Sequence, residues 1–317
     1  MKSRVVMFTS VSLLFLTIAI IESVAGLLGN GTILAASSTS CIRSKMLSSY
    51  DMIMIFLSLS RFFLQSWMML DLLLSLLCET SYYEENLFAI FKTVFIFLNY
   101  SSLWFAAWLS VFYCIKVATF TQSIFIWLKQ RISSLKPWML IISTLFSFAI
   151  SLPFAWDIYI LHDNFTAPLT MTNSSERTVK VKDRVFLLIL LCNAGIALPL
   201  IVFVVSSILL VRSLSIHTRQ MKNNATGFQD PSLEAHIRAI KSIFSFLILY
   251  VTYFISLVLI LSDTFLPFSI GEAICIAVMA ACPAGHSMVL IWSNPKFREL
   301  PARIFHHTNC HVRTRYK

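Results

Sequence analysis

Ionisable and amide side chains interrupt several stretches of this sequence that are otherwise apolar. Arg61 lies between Asp51 and Asp71 in one stretch, and Asn30 and Asn99 lie in two others. A charge in hydrocarbon costs several kcal/mol unless it is paired or hydrated, so these groups need partners inside a bundle. Asp51 and Asp71 lie about 30 Å apart along one helix, which is too far for a catalytic pair.

The remaining residue types also argue against catalysis. The sequence has no Ser-His-Asp set and no phosphate-binding loop, and its seven cysteines have no metal-ligand spacing. The histidines, among them His236 and His286, are not expected to converge. We therefore expect no enzyme, no metal and no cofactor.

The apolar stretches are long enough to cross a membrane. Hydrophobic residues make up 57% of the 317 residues and charged residues 13%, whereas a soluble domain carries about 25% charged residues. Roughly 20 apolar residues cross a hydrocarbon core as a helix. The sequence predicts an all-α membrane protein, with a seven-helix domain over 1–293 and a basic tail over 294–317. The predicted spans cover about 6–36, 46–77, 87–115, 137–158, 185–214, 239–261 and 271–293.

Basic residues concentrate in every second loop between these spans. The first loop holds Arg43 and Lys45 and no acid, whereas the second, 78–86, holds three glutamates and no base. Because basic loops stay cytoplasmic, the pattern predicts an outside N-terminus and a cytoplasmic C-terminus. The net charge of +10 is therefore a topology signal, with membrane lipid and not nucleic acid as the surroundings. Lys2 and Arg4 leave a cleaved signal peptide as an alternative, although an uncleaved first helix fits the loop charges better.

Five N-x-S/T sequons occur in the sequence, and two of them fall in the longest loop that is predicted to lie outside. A sequon is modified only on that side of the membrane. We therefore expect glycosylation at Asn164 and at Asn173.

Short motifs along the chain resemble the type 2 taste receptors, the bitter taste receptor family. The Asp-Arg-Tyr and Cys-Trp-x-Pro marks common in rhodopsin-like receptors are missing. The resemblance covers nearly the whole chain, and within the family the branch of members 39 and 40 is the most similar. The motifs that carry the resemblance are Leu57–Arg61, Leu109–Ala118, Phe125–Lys129, His217–Met221, Asp230–Lys241, Phe246–Tyr250, His286–Ser287 and Asn294–Lys296, with Ser102–Trp108, Ala225–Gly227 and Met279–Ala281 for the branch.

This resemblance implies a G-protein-coupled receptor of the plasma membrane. Its partners would be small-molecule bitter agonists and a heterotrimeric G protein of the gustducin/Gi type. It also implies a polar switch core of Asn30, Arg61 and Ser287, in which Arg61 meets Asn30 and backbone carbonyls of the seventh helix. Glu22 is a further candidate partner for Arg61. A small-molecule transporter is the alternative, but the chain lacks the internal repeats that transporters show.

Positive charge at the predicted cytoplasmic helix ends suits the carboxyl terminus of a G-protein α-subunit. Tyr113 and Lys116 lie one turn apart at the end of the third span. In the resembled family, Phe-Tyr-x-x-Lys stands near the G-protein cleft in place of Asp-Arg-Tyr. Solvated loop charge is the competing interpretation for each of the other basic residues, which are His217, Arg219, Arg238 and Lys241.

The ligand pocket is expected between the outer halves of the third, fifth, sixth and seventh helices, where residues recur on one helix face. Asn99 is the most telling member, because an amide in lipid needs a ligand, another helix or water. Ile276 stands where many relatives have a polar group, and Lys92 could recruit anionic ligands, so cationic agonists are less favoured. The predicted lining is Phe95, Ile96, Asn99, Tyr100, Tyr250, Tyr253, Phe254, Leu257, Ile276 and Met279.

Overall fold

Seven long helices make up the structure of the chain, which is a computed structural model. It describes residues 2–44, 48–77, 87–117, 123–166, 174–224, 231–261, 264–265, 270–294 and 297. The helices are α1 (Lys2–Ser44), α2 (Ser49–Leu77), α3 (Leu87–Val117), α4 (Ser123–Thr166), α5 (Ser174–Asn224), α6 (Pro231–Leu261) and α7 (Ile270–Ser293). Each contains a segment long and apolar enough to cross a membrane. The predicted all-α class with seven membrane-spanning helices is confirmed. The division into 1–293 and 294–317 stays a prediction.

Helices α4 and α5 run well beyond the apolar segments from which they were predicted. Helix α4 has 44 residues, whereas its apolar segment is Ser134–Pro153. Helix α5 has 51 residues, around the apolar segment Ala194–Ile216. Hydropathy marks only the part of a helix that must lie in hydrocarbon. A helix that is already nucleated continues at little cost into polar sequence. The predicted limits of 137–158 and 185–214 are therefore shorter than the helices.

Helix α3 lies at the centre of the bundle. It packs against α2, α4 and α5, while α1 packs against α2 and α7, and α6 packs against α5 and α7. Within the described residues, α3 and α6 do not approach each other backbone to backbone. Long side chains bridge the space between them, and the functional groups described below meet there.

The bundle exposes large apolar side chains on its outside, and buried polar groups interrupt its apolar interior. Leu145 and Ile201 are more than half exposed on the outer faces of α4 and α5, as expected for side chains that meet lipid tails. Buried hydroxyls link helices in the interior: the Ser206 Oγ donates to the Ser110 Oγ at 2.8 Å, and the Ser110 and Ser207 hydroxyls lie 3.0 Å apart. Such bonds between helices stabilise packing where apolar burial provides no driving force.

The two ends of the bundle differ in charge. At the end where α1, α3 and α5 finish and α6 begins, the described cations include Arg43, Lys116 and Lys241. We call this the basic end, and we call the other the opposite end. At the opposite end, Lys92 of α3 forms an ion pair of 3.0 Å with Asp71 of α2.

Candidate functional site

Arg61 is buried in the middle of the bundle and is held by two other helices. Its Nε donates to the Ser102 Oγ of α3 at 3.2 Å, and one of its Nη atoms contacts the His286 Nδ1 of α7. A guanidinium has only donors, so His286 accepts on Nδ1 and its imidazole is neutral with the proton on Nε2. The Arg61 side chain thus joins α2, α3 and α7.

These partners differ from those that the resemblance implied. Asn30 does not bond Arg61: its Oδ1 accepts from the Ser287 Oγ at 2.6 Å, and its Nδ2 donates to the Gly26 carbonyl at 2.8 Å. The acceptor that α7 provides to Arg61 is the His286 ring and not a backbone carbonyl. Glu22 does not take the position either, because its buried Oε2 has no hydrogen-bond partner.

Asn30 and Ser287 of the predicted switch core nevertheless meet and fix α1 against α7. Gln65 adds a parallel link from α2, because its Nε2 donates to the Ala280 carbonyl of α7 at 3.1 Å. Sequence reasoning missed Gln65 and His286. The available signal was a lone histidine directly before Ser287 in an apolar span, since a buried imidazole needs a polar partner.

Two tyrosines of α6 bridge the space to α3. The Tyr253 hydroxyl donates to the Asn99 Oδ1, and the Tyr250 hydroxyl donates to the Leu103 carbonyl at 3.2 Å. The Tyr250 ring also stacks on Phe203 of α5 with ring centres 4.4 Å apart. Of the partners that the sequence left open for Asn99, the structure provides another helix. We call the Tyr253–Asn99 contact the α3–α6 bridge.

A small cavity of about 30 Å³ lies between α2, α3, α6 and α7. It has room for about two water-sized particles, whereas a drug-sized ligand needs roughly 300 Å³ or more. The predicted ligand residues Asn99, Tyr250 and Tyr253 line it together with Arg61 and His286. The expected ligand site and the buried cation therefore share one space. The rest of the lining is Leu64, Ser102, Leu103, Phe246, Leu249, Cys282 and Pro283.

Most of the other predicted ligand residues face the interior, but one does not. Tyr100, Leu257 and Met279 are buried, and Phe95, Ile96 and Phe254 are half-buried against the core. Ile276 is 46% exposed on the outside of α7. Cys275 and Met279 are four residues apart and share the buried face of α7, and each residue turns about 100° around the axis. The helix rotation thus directs Ile276 away from the cavity.

Lys92 does not present an isolated positive charge at the opposite end. Its ammonium is paired with Asp71, and the two side chains are 38% and 25% exposed. A carboxylate at 3.0 Å neutralises much of the field that an anionic ligand would follow. The structure therefore does not support the expectation that Lys92 recruits anionic ligands.

At the basic end, Tyr113 of α3 takes part in a cluster that joins three helices. Its hydroxyl hydrogen-bonds the Tyr50 hydroxyl of α2, which also accepts from the Asn294 Nδ2 at 3.1 Å, one residue beyond α7. The Tyr50 ring stacks on Phe297, whose side chain is completely buried. We call Tyr50, Tyr113, Asn294 and Phe297 the tyrosine latch.

The basic residues predicted for G-protein coupling belong to the same end of the bundle as this latch. Lys116, Arg219 and Lys241 are exposed, and the Lys116 Nζ lies 5.9 Å from the Phe112 ring centre. The side chains of His217 and Arg238 lie outside the part of the structure that is described. Positive charge is therefore available to solvent at this end, next to a closed aromatic cluster.

The two predicted glycosylation sites lie outside the described side chains. The Asn164 backbone belongs to α4, but its side chain lies outside the described set, as does the whole of Asn173. Among the side chains that are described, no group of three or more His, Cys, Asp or Glu residues could hold a metal ion.

The all-α bundle of seven helices, each long and apolar enough to cross a membrane, has the architecture of the seven-helix membrane receptors. The sequence profile described as "Taste receptor protein (TAS2R)" matches residues 7–309. The chain is 72% identical over 300 residues to the Gallus gallus taste receptor type 2 member 40, covering 95% of this chain and 96% of that protein. It is 42% identical over 296 residues to the Papio hamadryas member 39 (93% and 87% covered), and 41% over 291 residues to the Homo sapiens member 39 (92% and 86%).

This chain belongs to the type 2 taste receptors, the bitter taste receptor family. The resemblance to the branch of members 39 and 40 is confirmed as well. The protein is accordingly a multi-pass plasma-membrane receptor and not an enzyme.

Proposed function

We propose that small, mostly hydrophobic bitter compounds bind between α3, α5, α6 and α7 and that the receptor then activates a gustducin/Gi-type G protein at its basic end. One observation carries the proposal. The cavity that Asn99, Tyr250 and Tyr253 line also contains Arg61 and His286, so a compound lodged there acts directly on the group that ties α2, α3 and α7 together.

The binding step must widen the space between α3 and α6. A cavity of about 30 Å³ holds no bitter compound of ordinary size. The α3–α6 bridge joins two residues of its lining across that space. An agonist that exchanges this bond for its own contacts with Asn99 favours a wider bundle, and it shifts the population by its difference in affinity for the two states.

The lining also sets the agonist class. Aromatic and aliphatic side chains provide most of the surface, and the Arg61 guanidinium supplies the only charge among the lining residues. A cationic compound would meet a like charge in a medium of low dielectric constant, which costs far more than in water. Neutral compounds with a hydrogen-bond acceptor are therefore favoured over alkaloid-type cations.

The coupling step opens the tyrosine latch. Tyr113 and Lys116 stand where the resembled family meets the G protein, and in this structure the Tyr113 hydroxyl is bonded to Tyr50. Movement of α6 and α7 would free Tyr113. The α-subunit carboxylate would then meet the positive charge at the helix ends, which is provided by Lys116, His217, Arg219, Arg238 and Lys241.

This mechanism needs a cytoplasmic basic end. The alternation of basic loops supports that orientation, with the N-terminus outside and the tail 294–317 inside. The same orientation exposes Asn164 and Asn173 to the glycosylation machinery. Glycosylation at Asn224 instead would show that the topology is inverted. The basic end would then lie outside the cell, where it cannot meet a G protein.

The direct test is calcium release in cells that express the chain with a chimeric G-protein α-subunit, across a broad panel of bitter compounds. We expect responses to neutral hydrophobic members of the panel and few responses to cationic ones. Cells without the chimeric α-subunit provide the matched control. Silence across the panel, with the receptor shown at the surface by antibody labelling, would refute the proposed function.

A further inference from the structure

Arg61 carries a positive charge, and no carboxylate among the described residues contacts it directly. Of its five N–H groups, two are used, by Ser102 and by His286. Both partners are neutral. Asp51 lies ten residues away on α2, a distance of about 15 Å along the helix, and the Glu22 Oε2 has no hydrogen-bond partner. A buried ion without a counter-charge carries a penalty of several kcal/mol.

Three acceptors in the lining of the cavity next to this guanidinium already accept a hydrogen bond from a protein group. The Asn99 Oδ1 accepts from Tyr253, the Leu103 carbonyl accepts from Tyr250, and the Leu249 carbonyl accepts from the Cys282 thiol at 3.3 Å. The His286 Nδ1 faces Arg61.

The donors that remain belong to four residues of the lining. They are the other N–H groups of Arg61, the Asn99 Nδ2, the His286 Nε2, and the Ser102 hydroxyl, whose oxygen already accepts from Arg61. Two to four polar partners satisfy a water molecule, but a neutral water leaves the charge of Arg61 unbalanced. A fixed positive charge with several free donors beside it therefore favours an occupant that is negative.

We propose that this cavity binds a small monovalent anion, with chloride as the physiological occupant. A chloride ion is close in size to a water molecule, so it fits a space of about 30 Å³, whereas a carboxylate such as gluconate does not. The bound ion neutralises Arg61 and accepts from the Asn99 amide and the Ser102 hydroxyl. The bound ion therefore stabilises the closed bundle when no bitter compound is present. This proposal does not depend on the proposed function.

The test is the thermal unfolding of the purified full-length receptor in detergent, without agonist or G protein. Sodium chloride is titrated against sodium gluconate at constant ionic strength. We expect a saturable rise in Tm of about 2–4 °C in chloride at tenfold excess over Kd. Bromide should reproduce it. An equal Tm in gluconate and chloride overturns the proposal, because surface-charge screening or bound water would then explain the stability.

Three variants test whether the ion binds in this cavity. Asn99→Asp keeps an acceptor for the Tyr253 hydroxyl, but it replaces the donor amide with an internal counter-charge, so the chloride shift should vanish. Ser102→Ala removes one donor and should raise the half-maximal chloride concentration two- to tenfold. Lys92→Gln, which removes a paired surface cation far from the cavity, should keep the full shift. A full shift in both Asn99→Asp and Ser102→Ala would place the anion elsewhere and refute the proposal.

Discussion

Gly26 and Gly31 of α1 form a matched pair for testing how tightly α1, α2 and α7 pack. A Cβ atom at Gly26 would lie 2.5 Å from the Gln65 Nε2 and 3.0 Å from its Cγ and Cδ. Gln65 is completely buried, and its Nε2 is bonded to the Ala280 carbonyl of α7. A Cβ at Gly31 would meet only the Phe62 ring at 3.8 Å, an ordinary contact.

The two alanine substitutions should therefore have opposite effects. Both gain about 1 kcal/mol of helix propensity. Gly26→Ala also overpacks a buried position, at about 1–3 kcal/mol, and displaces Gln65 from a bond worth about 1 kcal/mol. The net loss is about 1–3 kcal/mol for Gly26→Ala, whereas Gly31→Ala should be neutral or stabilised by up to about 1 kcal/mol.

The assay is the apparent Tm of the two purified variants in the same detergent, with the amount of folded receptor at the cell surface as a second measure. At about 2–4 °C per kcal/mol, Gly26→Ala should unfold several degrees below Gly31→Ala. If Gly26→Ala were as stable as Gly31→Ala, that result would contradict the described packing of the Gln65 side chain between α1 and α7.

Three further predictions follow from other contacts. Ser110→Ala removes the hydroxyl shared with Ser206 and Ser207 and should lower stability by about 1–2 kcal/mol, measured as a drop in Tm; an unchanged Tm would show that α3 and α5 hold together without it. A double-mutant cycle of Lys92→Gln and Asp71→Asn should give a coupling free energy below about 1 kcal/mol, because the ion pair is partly exposed to solvent. A larger coupling free energy would mean that the pair is less accessible to water than its exposed fractions indicate. Asn164→Gln should remove a glycosidase-sensitive band on a gel, and a band that persists in the Asn164→Gln, Asn173→Gln double variant would contradict the predicted orientation.

Hydropathy was sufficient to predict the number of spans, because the cost of placing polar backbone and side chains in lipid acts on each segment by itself. The ends of α4 and α5 were not predictable in this way. Outside the hydrocarbon, helix continuation depends on propensity and capping, and polar sequence is compatible with either helix or loop. The predicted limit at 158, for example, falls inside a helix that ends at Thr166.

The candidate site was predictable in its residue types but not in its pairings. A buried arginine requires a polar partner, and this follows from Arg61 alone. The partner is His286, 225 residues away in the sequence, and its identity depends on the rotation of α7 about its axis. The same rotation separates buried Met279 from exposed Ile276. The same periodic pattern of apolar residues is compatible with several rotations of α7 about its axis. Only the packing of α7 against α1 and α6 determines which rotation forms.

Under the proposed function, an agonist must break the α3–α6 bridge to reach the space beside Arg61. Tyr253→Phe keeps the ring and removes only the hydroxyl that bonds Asn99. Because a bond of this kind is worth about 0.5–1.5 kcal/mol, the agonist concentration for half-maximal calcium release should fall two- to tenfold. Thr252→Val removes an exposed hydroxyl from the outer face of the same helix and should leave that concentration unchanged. At matched surface expression, an unchanged or higher concentration for Tyr253→Phe would contradict the account.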